Sequence, residues 1–277
     1  MADKLFLSPV EISNTLSDIG EKKATATIFE LLIFGVLAGI YIAFGANVAT
    51  AVLSGGTLDE GLARFLAGSV FSVGLILVLI PGSELFTGNI LMTIGFIYRK
   101  YSFTKVLRNW LVVYLGNLLG SMFIAWIVYS SGLLGGVGHL NPIGAVAVKI
   151  ADTKLSMGFQ EAVCRGILCN MLVCLAVIMS IASKTVTGKI FGIYFPIMAF
   201  VASGYEHSVA NMYFLPICLM MKGEFVSRFF NMFDNLVPVT IGNVIGGLLI
   251  VLLHPKAEEK IARFFCAKVN KQSGDVH

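Results

Sequence analysis

Charge is scarce in this chain. Only 13% of its 277 residues are Asp, Glu, Lys or Arg, against about 25% in a soluble globular domain. That deficit excludes an ordinary water-soluble protein. Histidine is rarer still: His139, His207, His254 and His277 lie in four separate regions. An enzyme built on a cluster of histidines and carboxylates around a metal is therefore not expected, and neither a metal nor a cofactor is called for. The net charge of +4 is too small to suggest a nucleic-acid partner. Five cysteines do not make a disulfide framework. Cys164, Cys169, Cys174 and Cys218 lie in apolar segments and Cys266 in a basic tail. Steps of five residues turn successive side chains by about 140° on a helix, so packing is expected of them rather than ligation. The first 28 residues hold no apolar run bounded by a cleavage-type site, and no signal peptide is expected.

What the chain has instead is apolar length. Hydrophobic residues make up 57% of it, and its mean hydropathy is +0.85. Apolar segments fall near 29–52, 64–98, 106–130, 159–182, 189–221 and 235–254. Six spans predict an all-α multi-pass protein of the cell membrane, with the lipid bilayer as its first partner. With both termini in the cytoplasm, the inner side carries Lys4, Lys22, Lys23, Arg99, Lys100, Lys105, Arg108, Lys184, Lys189, Lys256, Lys260, Arg263, Lys268 and Lys271. The outer side carries only Arg64, Lys149, Lys154, Lys222 and Arg228. This bias sets the expected orientation. Arg165 falls within a span, four residues after Glu161, a spacing that neutralises both.

Two of the six segments do not fit one straight helix. Residues 64–98 are interrupted at Pro81-Gly82-Ser83, and residues 189–221 at Ser203-Gly204. Proline removes a backbone donor, and glycine tolerates non-helical dihedrals. Making 85–98 a full crossing would also move the Arg99–Arg108 cluster outside, against the charge rule. Helices two and five are therefore expected to be broken. Exposed backbone survives in a membrane only where protein or water covers it, so both breaks should face the interior.

The two breaks repeat one another. GSELFTGNI (82–90) and GYEHSVANM (204–212) share G-x-E-x-x-x-x-N at an offset of 122. NWLVVYLGNLLG (109–120) and NLVPVTIGNVIG (235–246) share N-x6-G-N-x2-G at an offset of 126. Glu30 and Gly35 match Glu161 and Gly166 at an offset of 131. An odd number of spans per half makes this a 3+3 inverted repeat, the arrangement in which a substrate path lies between two discontinuous helices. The expected organisation is a single domain over 1–277: a cytoplasmic N-terminal helix in 1–28, a first repeat at 29–130, a second at 159–254 and a cytoplasmic tail at 255–277.

The repeat also sorts its own polar residues. Glu84 matches Glu206 and Asn89 matches Asn211, so these four are expected to hydrogen-bond the backbone exposed at each break. His207 has only Leu85 opposite it. It is the candidate for chemistry, with a satisfied interior histidine as the alternative. Gly116, Gly120, Gly242 and Gly246 form G-x3-G pairs suited to close helix packing. Ser8, Pro9 and Glu11 read as the capped start of a short helix whose Ile12, Leu16 and Ile19 share one face.

GSELFTGN, ASGYEHSVANM, EAVCRGILCN and PVTIGNVIGG, with the doubled break, resemble the formate–nitrite transporter family of pentameric anion channels over residues 5–255. The resemblance implies an aquaporin-like protomer with its own pore and a homopentamer. It places Thr87 and His207 face to face at the pore centre. Leu75 and Leu85 would narrow the inner side, and Phe71 and Phe200 the outer. Lys149 would draw anions into the outer vestibule, Asn170 and Asn243 would line the path, and Glu206 would support the histidine. Without the family, Lys149 reads as a loop lysine, the leucines and phenylalanines as packing, and Thr87 as a hydroxyl bonding its preceding turn.

The function expected is a passive, pH-gated channel for small monovalent weak-acid anions, formate or nitrite before hydrosulfide. A proton-coupled anion symporter is the alternative, separable by comparing current at clamped pH with proton uptake. A membrane enzyme is more remote. A water channel would carry two Asn-Pro-Ala motifs, and only Asn141-Pro142 occurs, in what reads as a loop.

Overall fold

The computed structural model describes residues 5–56 and 58–254. Lys4, the tail at 255–277 and Cys266 lie outside the described residues. Helix α1 (Pro9–Thr25) opens with the expected capping box. The Glu11 amide donates to Ser8 Oγ, and the Ser8 amide donates to Glu11 Oε2 at 2.7 Å. Ile12 and Leu16 are buried in a cluster with Leu91, Ile94 and Val251. Arg108 closes the other end, donating to the carbonyls of Ala24 and Ala26 at 2.9 Å each.

Helix α2 spans Ile28–Leu53. Helices α3 (Glu60–Phe71) and α4 (Val73–Leu79) form one apolar run of 20 residues that tightens at Ser72. After the first break come α5 (Phe86–Asn89), a 3-10 turn at Ile90–Met92, and α6 (Thr93–Ile97). Helix α7 runs Phe103–Ser130. A two-stranded hairpin follows, β1 (Gly135–Gly136) with β2 (His139–Leu140). Helix α8 covers Pro142–Leu155 and α9 covers Phe159–Ala182. The second break separates α10 (Val186–Ala202) from α11 (Ser208–Met221). A short α12 (Phe225–Arg228) and a 3-10 turn lead into α13 (Phe233–Leu252).

Five helices are long and apolar enough to cross a membrane, among the described residues: Ile28–Leu53, Glu60–Leu79, Phe103–Ser130, Phe159–Ala182 and Phe225–Leu252. The fifth apolar segment is divided between α10 and α11, each too short alone. The second segment is less even than the sequence suggests: its first piece is a full-length helix, and only its second piece is short.

Two close helix pairs frame the fold, α2 with α7 and α9 with α13. A Cβ on Gly116 or Gly120 would meet the Leu32 or Val36 backbone, and one on Gly242 or Gly246 would meet Val163 or Ile167. Close backbone approach is what small residues provide where lipid gives helices no hydrophobic drive to associate. Cys169, Cys174 and Cys218 are buried, and Cys164 is exposed.

The longest element that neither hydropathy nor a cap had suggested is α8. Asn141 caps it, accepting from the Gly144 amide at 3.0 Å, and Pro142 is its first residue. The dipeptide expected in a loop is a helix start.

Candidate functional site

Both breaks are built the same way. Gly82 (φ +89°) and Gly204 (φ +73°) take the left-handed turn that ends α4 and α10. The Ser83 amide donates to Val78 O at 2.9 Å, and the Tyr205 amide donates to Phe200 O at 3.1 Å. The chain then runs extended into the next half-helix, where two asparagines hold it. Asn117 accepts from the Phe86 amide at 2.9 Å and donates to Gly35 O and Glu84 O at 2.8 and 2.9 Å. Asn243 accepts from the Ser208 amide at 2.9 Å and donates to Gly166 O and Glu206 O at 2.8 and 2.9 Å. These positions match at the repeat offsets. Their amides supply the partners that a broken helix lacks.

This corrects the role expected of the shared glutamates and of Asn89 and Asn211. Their side chains bond other side chains, not the break. Lys23 from α1 donates to Glu84 at 3.0 Å and to Asn89 Oδ1 at 2.7 Å. Asn89 donates to Glu84 at 2.6 Å and to Asn109 at 2.8 Å. In the other half, Lys154 from α8 donates to both Glu206 oxygens at 2.7 and 2.9 Å. Asn211 donates to Glu206 at 2.7 Å and to Asn235 at 2.7 Å. The Lys154–Glu206 pair is the more buried, with side chains 11% and 5% exposed against 21% and 15% for Lys23–Glu84. Lys23 and Lys154 stand 131 residues apart, the offset already seen for Glu30 and Glu161. That spacing was the available signal for both lysines.

The expected support of His207 by Glu206 is also corrected. The carboxylate is turned to Lys154 and Asn211 and makes no hydrogen bond to the imidazole. His207 instead caps α11: its Nδ1 accepts from the Ala210 amide at 3.1 Å. With Nδ1 an acceptor, the ring proton sits on Nε2, which faces Thr87 Oγ1 at 2.9 Å. Thr87 is fully buried, and its hydroxyl meets the histidine, not its own preceding turn. Opposite, Leu85 holds the same N-cap position for α5 with no side chain to cap it.

The remaining candidates surround this contact unevenly. Phe200 stacks on the His207 ring with centroids 5.9 Å apart, and Phe71 meets Phe200 edge-on at 5.6 Å. Leu75 and Leu85 are buried and line a cavity of about 390 Å³ that Lys23 and α1 residues Leu16, Ile19 and Gly20 also line. Asn170 donates to Thr87 O at 3.2 Å and to Asn243 O at 2.6 Å, so it is packed directly behind the threonine. Both polar groups of the Asn243 side chain are engaged with backbone, in three hydrogen bonds. Lys149 is exposed on α8. Arg165 pairs with Glu161 at 2.6 Å, as its spacing implied, and also donates to Gly204 O at 3.2 Å.

A model of the formate/nitrite transporter family matches residues 10–255. The chain belongs to that family. A probable formate transporter of Methanothermobacter thermautotrophicus is 40% identical over 265 residues, covering 89% of this chain and 94% of that protein. An FNT family ion channel has the same fold with a TM-score of 0.79 and 28% identity, over 88% of this chain and 96% of that one. A pentameric formate channel with formate bound superposes with a TM-score of 0.70 at 33% identity, over 81% and 94%. Members of the family are membrane transport proteins, and this chain is a multi-pass membrane protein of that kind and not an enzyme. Family membership makes the paired breaks, with one histidine and one threonine between them, the place to look for transport.

Proposed function

We propose that this chain is a passive, pH-gated channel for small monovalent weak-acid anions, formate or nitrite before hydrosulfide. The observation that carries the proposal is the 2.9 Å contact between Thr87 Oγ1 and His207 Nε2, which joins the two breaks in a fully buried setting. Leu85 and His207 are the N-cap positions of the two half-helices. Both positive helix ends therefore point at the site and favour an anion there.

Phe71 and Phe200 on one side, and Leu75 and Leu85 on the other, exclude bulk water but cannot hold charge. An anion entering past them exchanges hydration for the Thr87 hydroxyl and the Nε2–H of His207, whose mutual bond opens. Protonation at Nδ1 would set that nitrogen against the Ala210 amide, two donors facing each other, and release the cap. The imidazolium then offers Nε2–H together with a positive charge. It can hold the anion as such, or give it the Nε2 proton and return to neutral imidazole while a neutral acid moves on. This is the proposed origin of the pH gate.

The wider arrangement proposed is a 3+3 inverted repeat with both termini in the cytoplasm. Lys149 gathers anions at the outer mouth, and five copies assemble with one pore each. A solved relative described as a pentameric formate channel with formate bound supports the substrate and the assembly. The test of the gate is His207→Asn in proteoliposomes: formate flux should lose its pH dependence, and an unchanged profile would refute it.

A further inference from the structure

The α3–α10 crossing carries polar contacts that the repeat does not explain. Ser72, fully buried, has its hydroxyl 3.1 Å from Gly68 O in its own helix and 3.1 Å from Tyr194 O in α10. The Tyr194 hydroxyl returns the contact, donating to Ser69 Oγ at 2.8 Å, and Ser69 donates on to Phe65 O at 2.9 Å. Ser72 and Tyr194 occupy equivalent positions of the two halves, 122 residues apart. They meet where the halves cross, and only one of them is a serine. Gly68 lets the two backbones close at the same point, since a Cβ there would strike Met198 O.

We propose that Ser69, Ser72 and Tyr194 form a polar clasp that sets the Phe71–Phe200 aperture and thereby selects anions by size. The proposal rests on the reading of those phenylalanines as a constriction. Phe71 lies between the two serines in sequence, at the end of α3, where Ser72 tightens the turn before α4. Rotation of α3 against α10 would carry the Phe71 ring across the Phe200 edge, 5.6 Å away at 85°. Within a bilayer, interhelical hydrogen bonds and close small-residue contacts set such crossings. Ser69, Ser72 and Tyr194 are positioning residues: they touch the aperture's supports, not the anion.

The experiment is the ratio of lactate to formate flux in proteoliposomes, normalised to assembled protein. Tyr194→Phe and Ser72→Ala should each raise the ratio about threefold, the scale of one interhelical hydrogen bond in a membrane. Ser72→Thr, which keeps the hydroxyl, should restore it. Phe200→Leu should raise it as well. A shifted ratio for Phe200→Leu with wild-type ratios for Tyr194→Phe and Ser72→Ala would overturn the clasp alone. An unshifted ratio for Phe200→Leu would overturn the constriction, and the clasp with it. Tyr194→Phe removes one oxygen atom, so the test stands even if Ser72→Ala fails to assemble.

Discussion

Replacing Asn243 by alanine removes three hydrogen bonds at once: one to the Ser208 amide and two to the carbonyls of Gly166 and Glu206. Asn117→Ala removes the matching three, to Phe86, Gly35 and Glu84. Gly166 O and Gly35 O lie inside helices and keep their helical partners. The Ser208 and Phe86 amides and the Glu206 and Glu84 carbonyls sit at the breaks. Each net bond is worth about 1 kcal/mol, and each buried group left unpaired costs about 1–3 kcal/mol. Both variants should therefore lose about 3–5 kcal/mol. For a chain of this size that is an apparent melting shift on the order of 10 °C. The assay is thermal unfolding of both purified variants at one scan rate, beside formate flux at a temperature where each stays folded. Equal destabilisation of the two marks Asn243 as scaffold. A stable Asn117→Ala beside a stable Asn243→Ala that loses flux would refute the reasoning and return Asn243 to the pore lining.

Two further predictions follow from the charged groups. Lys154→Met strands Glu206 in a buried site and should destabilise the protein by about 3–5 kcal/mol; Lys23→Met should be milder, since its pair is more exposed. Restoration of thermal stability by adding Glu206→Gln to Lys154→Met would identify the stranded charge as the cause, and no restoration would refute it. His254 lies just beyond α13, with Nδ1 2.9 Å from Ser13 Oγ of α1, and burial lowers its pKa from the ordinary value. Its protonated form is thus disfavoured when α1 is docked. The contribution to docking is intact above about pH 6.5 and falls away as pH drops below it. Hydrogen exchange over residues 9–25 should quicken on acidification and lose that pH dependence in His254→Gln; the same acid response in the variant would exclude the histidine.

Much of the framework was legible because it is local. Apolar runs mark spans, Pro81-Gly82 and Ser203-Gly204 mark where helices stop, and Ser8 with Glu11 marks a capped start. Comparison of the halves added the asymmetry of His207 against Leu85. Helix α8 was hidden because a short surface helix with one buried face leaves no long apolar run; only Asn141-Pro142 and the matched lysines signalled it. The lysine partners of Glu84 and Glu206 were hidden because they come from residues 61 and 52 positions away. No local period links residues so far apart. Asn117 stood in the repeated motif all along, yet its work is visible only with the broken backbone beside it.

By itself the sequence determined that this chain lives in a membrane, that two of its helices break and that one break carries a histidine. Those are properties of hydropathy, backbone conformation and composition, and each is written in a few neighbouring residues. Only the tertiary structure decided which groups meet. It brought Thr87 to His207, turned Glu206 away toward Lys154, and gave the two asparagines to the broken backbone. Those choices depend on how the two halves pack, because a buried polar group is costly unless the packing brings a partner within its reach.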